Sequence, residues 1–117
     1  MKKRIKILKE GDSRCAYCGI GLSQATFTLD HARPKSRGGS NYYENLKPCC
    51  KFCNHIKGSY SIESFKKHLI ELSKMGSDLG KKVKSKFHLA ESDSPVIFYF
   101  EKKEEERIRL YNLLYNV

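Results

Sequence analysis

FTLDHARPKSRGGSNYYENLKPCCKFCNHIK, residues 27–57, carries two kinds of chemistry in one short run. An Asp-His pair, Asp30 and His31, closes a β-prone stretch (Ala25 to Leu29), and a loop studded with Pro34, Gly38 and Gly39 follows. The run ends in Asn45-Leu46 and then Cys50-x-x-Cys53-Asn54. A second Cys-x-x-Cys pair, Cys15 and Cys18, lies upstream. Cysteine pairs at this spacing hold a metal for structure. A carboxylate, an imidazole and an amide suit a metal held for chemistry.

The cysteines bound the first half of the reading. Four thiolates in two Cys-x-x-Cys pairs complete a tetrahedral zinc site with no open position, so Cys15, Cys18, Cys50 and Cys53 are the expected ligands of a structural Zn2+. Such a site contributes folding free energy directly, on the order of 10 kcal/mol in zinc-finger peptides. That offsets the modest core a chain of 117 residues can build. A plain zinc ribbon leaves roughly 15–20 residues between its pairs, whereas residues 19–49 put 31 between Cys18 and Cys50. Something is built between the knuckles. Cys49 is a rival to Cys50, in Cys-x-x-x-Cys spacing; Cys50 is preferred because both knuckles then match.

Charge points to the partner. Lys and Arg number 23 against 13 Asp and Glu, a net charge of +10, which favours a polyanion, nucleic acid above all. A membrane partner is not expected, since no apolar run approaches the roughly 20 residues of a spanning helix. The N-terminal MKKRIKILKEG is basic without the apolar core of a secretory signal. An intracellular, reducing location is expected, where five cysteines serve a metal better than disulfides.

Around that centre the chain reads as one domain, residues 1–117, with a core over about 13–58 and a helical extension over about 60–117. Residues 1–11 read as a short strand through Ile5 and Ile7 or as a basic arm, with Lys2, Lys3, Arg4, Lys6 and Lys9 available to phosphates. Tyr42 to Pro48 brings a second strand or a turn back beside the first. A short helix from Cys50 stops at Gly58. Ser61 is an N-cap, and Ile62, Phe65, Leu69, Leu72 and Met75 recur at helical spacing over 62–75; His68 is a residue of that helix's surface. Residues 77–94 give no clear pattern, and Lys81, Lys82, Lys84 and Lys86 form either a solvated face or a phosphate contact. Pro95 to Phe100 reads as a short strand. Residues 102–115 read as a last helix whose Ile108, Leu110, Tyr111, Leu113 and Leu114 pack into a core or a dimer.

Hydrolysing a phosphodiester needs a base to deprotonate water and a cation to neutralise charge on the phosphate and the departing oxygen. Mg2+ prefers oxygen donors and takes only one or two groups from a protein. Asp30 offers a carboxylate and Asn54 an amide carbonyl, while imidazole is largely neutral at cell pH and serves as base, which fits His31. Neighbouring strand residues point to opposite faces, so Asp30 and His31 face one phosphate only where the strand gives way to the turn at Ala32.

Asp30-His31, Pro34, Gly38-Gly39, Asn45-Leu46, Cys50-x-x-Cys53-Asn54 and Lys57-Gly58 together resemble the HNH endonuclease motif in its form braced by a four-cysteine zinc. The resemblance covers about residues 15–58. It implies an α+β chain with a ββα-metal core, two short strands and a helix around one catalytic cation. It implies His31 as general base, Asp30 and Asn54 as holders of Mg2+ or a similar ion, and Asn45 as the brace that orients the His31 ring. Products would carry 5′-phosphate and 3′-hydroxyl ends. The family's last histidine position is Asn54 here; His55, about 100° further round the helix, is a second candidate. Arg33, Lys35, Arg37 and Lys57 are expected to contact the backbone of DNA, or of RNA.

A catalytically silent zinc module that binds nucleic acid or a protein is the alternative from another class. A zinc nucleobase deaminase is excluded, because it wants His-x-Glu and Pro-Cys-x-x-Cys, and His31 is followed by Ala32-Arg33 while Pro48-Cys49 is followed three residues on by Phe52. One centre cuts one strand, so a double-strand break needs a dimer or two visits.

Overall fold

A two-stranded antiparallel sheet and one short helix form the expected ββα unit. The structure, a computed structural model, describes residues 2–89 and 95–115, the Lys2 side chain excepted. Strand β1 (Thr28–His31) pairs with β2 (Leu46–Cys49), with Thr28 opposite Cys49 and His31 opposite Leu46. With two strands among the described residues, both are edges, and Pro48 costs the ladder little. Helix α2 (Lys51–Lys57) starts on Cys50, whose Sγ accepts from the Cys53 amide at 3.4 Å, and stops at Gly58.

Helices surround this unit: α1 (Lys2–Glu10), α3 (Ile62–Ser73), α4 (Asp78–Lys86) and α5 (Tyr99–Tyr115). Ser61 caps α3 as expected, its Oγ accepting from the Ser64 amide at 3.2 Å, and Phe65, Leu69 and Leu72 are buried. Met75 lies beyond the helix end and is exposed. Part of the stretch that sequence left unassigned is α4, capped by Ser77 and packed on α3 through Val83 and Gly80. A Cβ at Gly80 would sit 2.5 Å from Leu72 O, so the two helices approach too closely for a side chain there. Residues 90–94 of that stretch lie outside the described residues, as do Met1 and the Lys2 side chain of the basic lead-in. Among the described residues no helix is long and apolar enough to cross a membrane.

Three expectations change. The lead-in is the helix α1, neither strand nor arm: Ile7 and Leu8 are buried beside β2, and the Arg4 guanidinium lies over the Phe27 ring at 4.4 Å. Nothing in KKRIKILKE breaks a helix, and packing two adjacent apolar residues supplies the rest. Residues 95–98 form no regular element, and although Val96 and Phe98 are buried and Ile97 exposed, they pair with no strand among the described residues. The Glu101 carboxylate accepts from the Phe98 amide at 2.9 Å and starts α5 three residues earlier than sequence placed it. Ile108, Leu110, Tyr111, Leu113 and Leu114 are exposed on α5, so they do not join the core.

The core is aromatic and centres on Tyr17, a residue inside the first knuckle. Its ring meets Phe65, Phe98 and Phe100 edge-on, with centroids 5.4, 5.0 and 6.0 Å away. Of the basic cluster on α4, Lys82 and Lys86 hold their ammoniums over the Phe52 ring at 4.6 and 5.2 Å. The His68 ring on α3 meets the Tyr60 ring at a tilt, with centroids 5.0 Å apart.

Candidate active site and metal centre

The two knuckles come together. The sulfurs of Cys15, Cys18, Cys50 and Cys53 all lie within 4.8 Å of one another, and Cys18 Sγ is 3.9 Å from Cys50 Sγ. A tetrahedron of thiolates at zinc–sulfur distances of about 2.3 Å has sulfurs about 3.8 Å apart. The cluster therefore fits a metal such as zinc, and none of the five cysteines is in a disulfide. The structure takes Cys50 into the cluster and leaves Cys49 out, its thiol donating to the Cys50 carbonyl at 3.3 Å. Contact with Cys15 first, and burial second, push the Cys49 thiol well above the usual thiol range. It stays a neutral core residue.

Cys15 and Cys18 hold Tyr17 between them, and Tyr17 reaches from the aromatic core to Asp30. The phenol donates to Asp30 Oδ2 at 2.5 Å. Burial, then the charge of Asp30, raise the Tyr17 phenol far above its ordinary value, so it remains a donor. The same oxygen meets Lys57 Nζ of α2 at 3.1 Å. Asp30 is itself buried, yet no buried side-chain nitrogen or oxygen lacks a partner among the described residues. With Oδ2 doubly engaged, Oδ1 is the oxygen left to an outside ligand.

His31 sits at the end of β1, half-buried, and the turn begins at Ala32 as the sequence placed it, but His31 itself is still strand. Strand alternation thus still holds across the pair: Asp30 turns inward to Tyr17 and Lys57, His31 towards the loop. His31 Nε2 lies 2.8 Å from Asn41 Oδ1. A carbonyl oxygen can only accept, so Nε2–H is the donor, and in the neutral ring Nδ1 is the acceptor.

Asn45 closes that loop. Its Oδ1 accepts from the Arg33 amide at 2.8 Å, and its Nδ2 donates to Arg33 O at 3.1 Å and Ser40 O at 2.8 Å. One amide thus fixes both ends of the turn following His31. Gly39 makes the closure possible: a Cβ there would fall 1.7 Å from Arg33 O.

Asn54 lies three residues before Lys57, one turn along the same face of α2. Lys57 Nζ donates to His31 O at 3.0 Å as well as meeting Asp30, so this face of α2 is the one applied to β1. The Asn54 amide makes no side-chain hydrogen bond among the described residues and is half-buried; His55 is exposed. A carboxylate oxygen and an amide oxygen on facing elements are hard donors that fit a Mg2+-like ion.

The basic residues divide. Arg33 and Arg37 are exposed on the loop, with Arg33 Nε donating to Arg37 O at 2.8 Å and Arg37 Nε to Ser59 O at 3.2 Å. Lys35 is exposed beside them. Lys57 is a correction, since it is 0% exposed and cannot meet a phosphate from the surface. Burial with a carboxylate satisfied its charge better than solvent access at that helix position. Sequence reading passed over Tyr17 and Asn41: one is the middle of a knuckle and the other a loop asparagine, and nothing local marks either.

Comparison with known proteins agrees with this geometry. Residues 15–70 match the family described as HNH endonuclease. A stretch of 57 residues, 48% of the chain, is 33% identical to the CRISPR-associated endonuclease Cas9 of Corynebacterium diphtheriae, and covers 5% of that protein. The crystal structure of the Type II-C Cas9 enzyme from Actinomyces naeslundii shares the fold, with a TM-score of 0.52 and 21% identity over 72% of this chain and 11% of that one. The chain is thus similar to a small part of much longer proteins. Motif, cysteine cluster and ββα unit coincide over one stretch, and it is this stretch, residues 15–70, that matches the HNH endonuclease family.

Proposed function

We propose that the chain is a divalent-cation-dependent endonuclease that hydrolyses DNA phosphodiester bonds, with His31 as general base. The observation that carries this is the bolting of α2 onto the end of β1: one Lys57 ammonium holds both Asp30 Oδ2 and His31 O, at 3.1 and 3.0 Å. The helix bearing Asn54 is thereby fixed against the strand bearing Asp30 and His31.

Each residue has a task. With its Nε2–H donating to Asn41 Oδ1, His31 presents the Nδ1 lone pair to a water molecule and takes its proton as the oxygen attacks phosphorus. The bond from phosphorus to the 3′-oxygen breaks and the leaving oxygen takes a proton from solvent water, which yields 5′-phosphate and 3′-hydroxyl ends. Asn45 keeps the loop, and with it Asn41, closed against the ring. Asp30, through Oδ1, and Asn54 would hold Mg2+ or a similar ion, which when bound neutralises charge on the phosphate and the departing oxygen. Arg33, Lys35 and Arg37 lie on the exposed loop where sugar-phosphate backbone contacts position the duplex. Zn2+ in the four cysteines keeps the two halves of the unit in register. Five free thiols suit a reducing, intracellular setting.

Supercoiled plasmid with Mg2+ tests the reading. Wild type is expected to nick it, and His31→Ala to lower the rate roughly 10²–10⁴-fold while keeping DNA affinity. Equal turnover by His31→Ala removes His31 from the chemistry. Tight binding with no nicking under any divalent cation supports the silent module instead.

A further inference from the structure

Lys57 is the least expected side chain in the interior. It is 0% exposed, and its ammonium contacts Asp30 Oδ2 at 3.1 Å and His31 O at 3.0 Å. A buried ammonium is tolerated only with a close anion, and a buried carboxylate only with a close cation or donors. Each of the two is therefore kept inside by the other. A well-packed apolar pair would serve stability as well or better, so packing alone gives no reason for a lysine here. Its position does. It lies on the carboxylate that the proposed function gives to the divalent cation.

We propose that Lys57 is a resident counter-cation of the metal site, which makes binding of the divalent cation depend on the phosphate. The inference rests on the reading of Asp30 as a cation ligand. In the metal-free protein the ammonium and carboxylate cancel, with Tyr17 and Asn54 neutral beside them. A divalent ion on Oδ1 would then add two uncompensated positive charges next to an ammonium that is buried and has nowhere to retreat. A phosphodiester brings a negative charge to the same place. Cation and DNA accordingly bind with positive coupling, and by linkage each strengthens the other by the same factor. Asp30 stays aimed throughout, because Lys57 and Tyr17 hold Oδ2 whether or not the ion is present.

The test measures Mn2+ affinity by electron paramagnetic resonance of the free ion, on the full chain carrying His31→Ala so that DNA stays intact. A duplex is added in excess, and Mn2+ taken up by the duplex alone is subtracted. The duplex is expected to tighten Mn2+ binding at least about tenfold, within the usual range of such couplings. Lys57→Met and Lys57→Gln, the latter keeping a donor for His31 O, are expected to tighten binding without DNA by a similar factor and to shrink the effect of the duplex. Unchanged or weaker binding by either folded variant overturns the proposal. So does equal affinity with and without duplex in the parent, a result that needs no Lys57 variant to fold. Asp30→Asn separates the two levels. Binding lost with Asp30→Asn but indifferent to Lys57 removes only the counter-cation role; binding that never depends on Asp30 removes the ligand assignment and this inference together.

Discussion

Tyr17 joins two parts of the molecule that sequence treats separately. Its ring is the hub of the aromatic core, and its hydroxyl fixes the carboxylate of Asp30 at 2.5 Å. Tyr17→Phe keeps the ring and deletes one hydrogen bond to a charged group, a change expected to cost about 1.5–3 kcal/mol. Denaturant unfolding reads that loss, while near-ultraviolet circular dichroism and metal content stay as in wild type. An unchanged midpoint would show that the bond carries no net stability. Asp30, His31, Asn45 and Asn54 stand out in the sequence as candidates because the proposed chemistry restricts residue type and the motif fixes their order. The parts played by Tyr17, Asn41 and Lys57 do not. Their roles come from partners 10 to 26 positions away in the chain, and no local pattern encodes a contact at that separation.

Among the elements, the loop between β1 and β2 is the most exacting. It must return the chain within hydrogen-bond reach of its own start, where Asn45 bonds both the amide and the carbonyl of Arg33. Gly39 passes so close to Arg33 O that a methyl group cannot be accommodated. Gly39→Ala is expected to force the loop open and cost about 1–3 kcal/mol. Cleavage should fall by about 10²-fold as Asn41 loses the His31 ring, with the cysteine cluster still loaded. Plasmid nicking and metal analysis on the same preparation check both halves of that expectation. The helices on Ser61 and Cys50 could be read directly, because a capping side chain and an apolar period are local signals. The first helix and the segment 95–98 were misread for the opposite reason. Ile7 and Leu8 become a helix face only against β2, and the in-out alternation of Val96, Ile97 and Phe98 serves a core with, among the described residues, no strand beside it.

Over the whole molecule, the cysteine cluster stands where two regions meet. On one side is the ββα unit, on the other the aromatic core against α3, α4 and the start of α5. Cys18→Ser, or chelation of the wild-type metal, is expected to remove more free energy than the roughly 5–15 kcal/mol by which domains of this kind are stable. Loss of near-ultraviolet circular dichroism together with all nicking is the outcome to look for. A variant that keeps its tertiary signal would show that the aromatic core stands without the metal. Ligand spacing, residue chemistry, helix caps and net charge are properties of neighbours along the chain, and from them the sequence by itself determined the cysteine cluster and the ββα order and pointed to a polyanionic partner. Which cation sits inside and which outside was decided only in three dimensions. Lys57 and Lys35 are alike in sequence, but folding set one against a buried carboxylate and left the other in water, and the balance of desolvation against pairing depends on where the partner ends up.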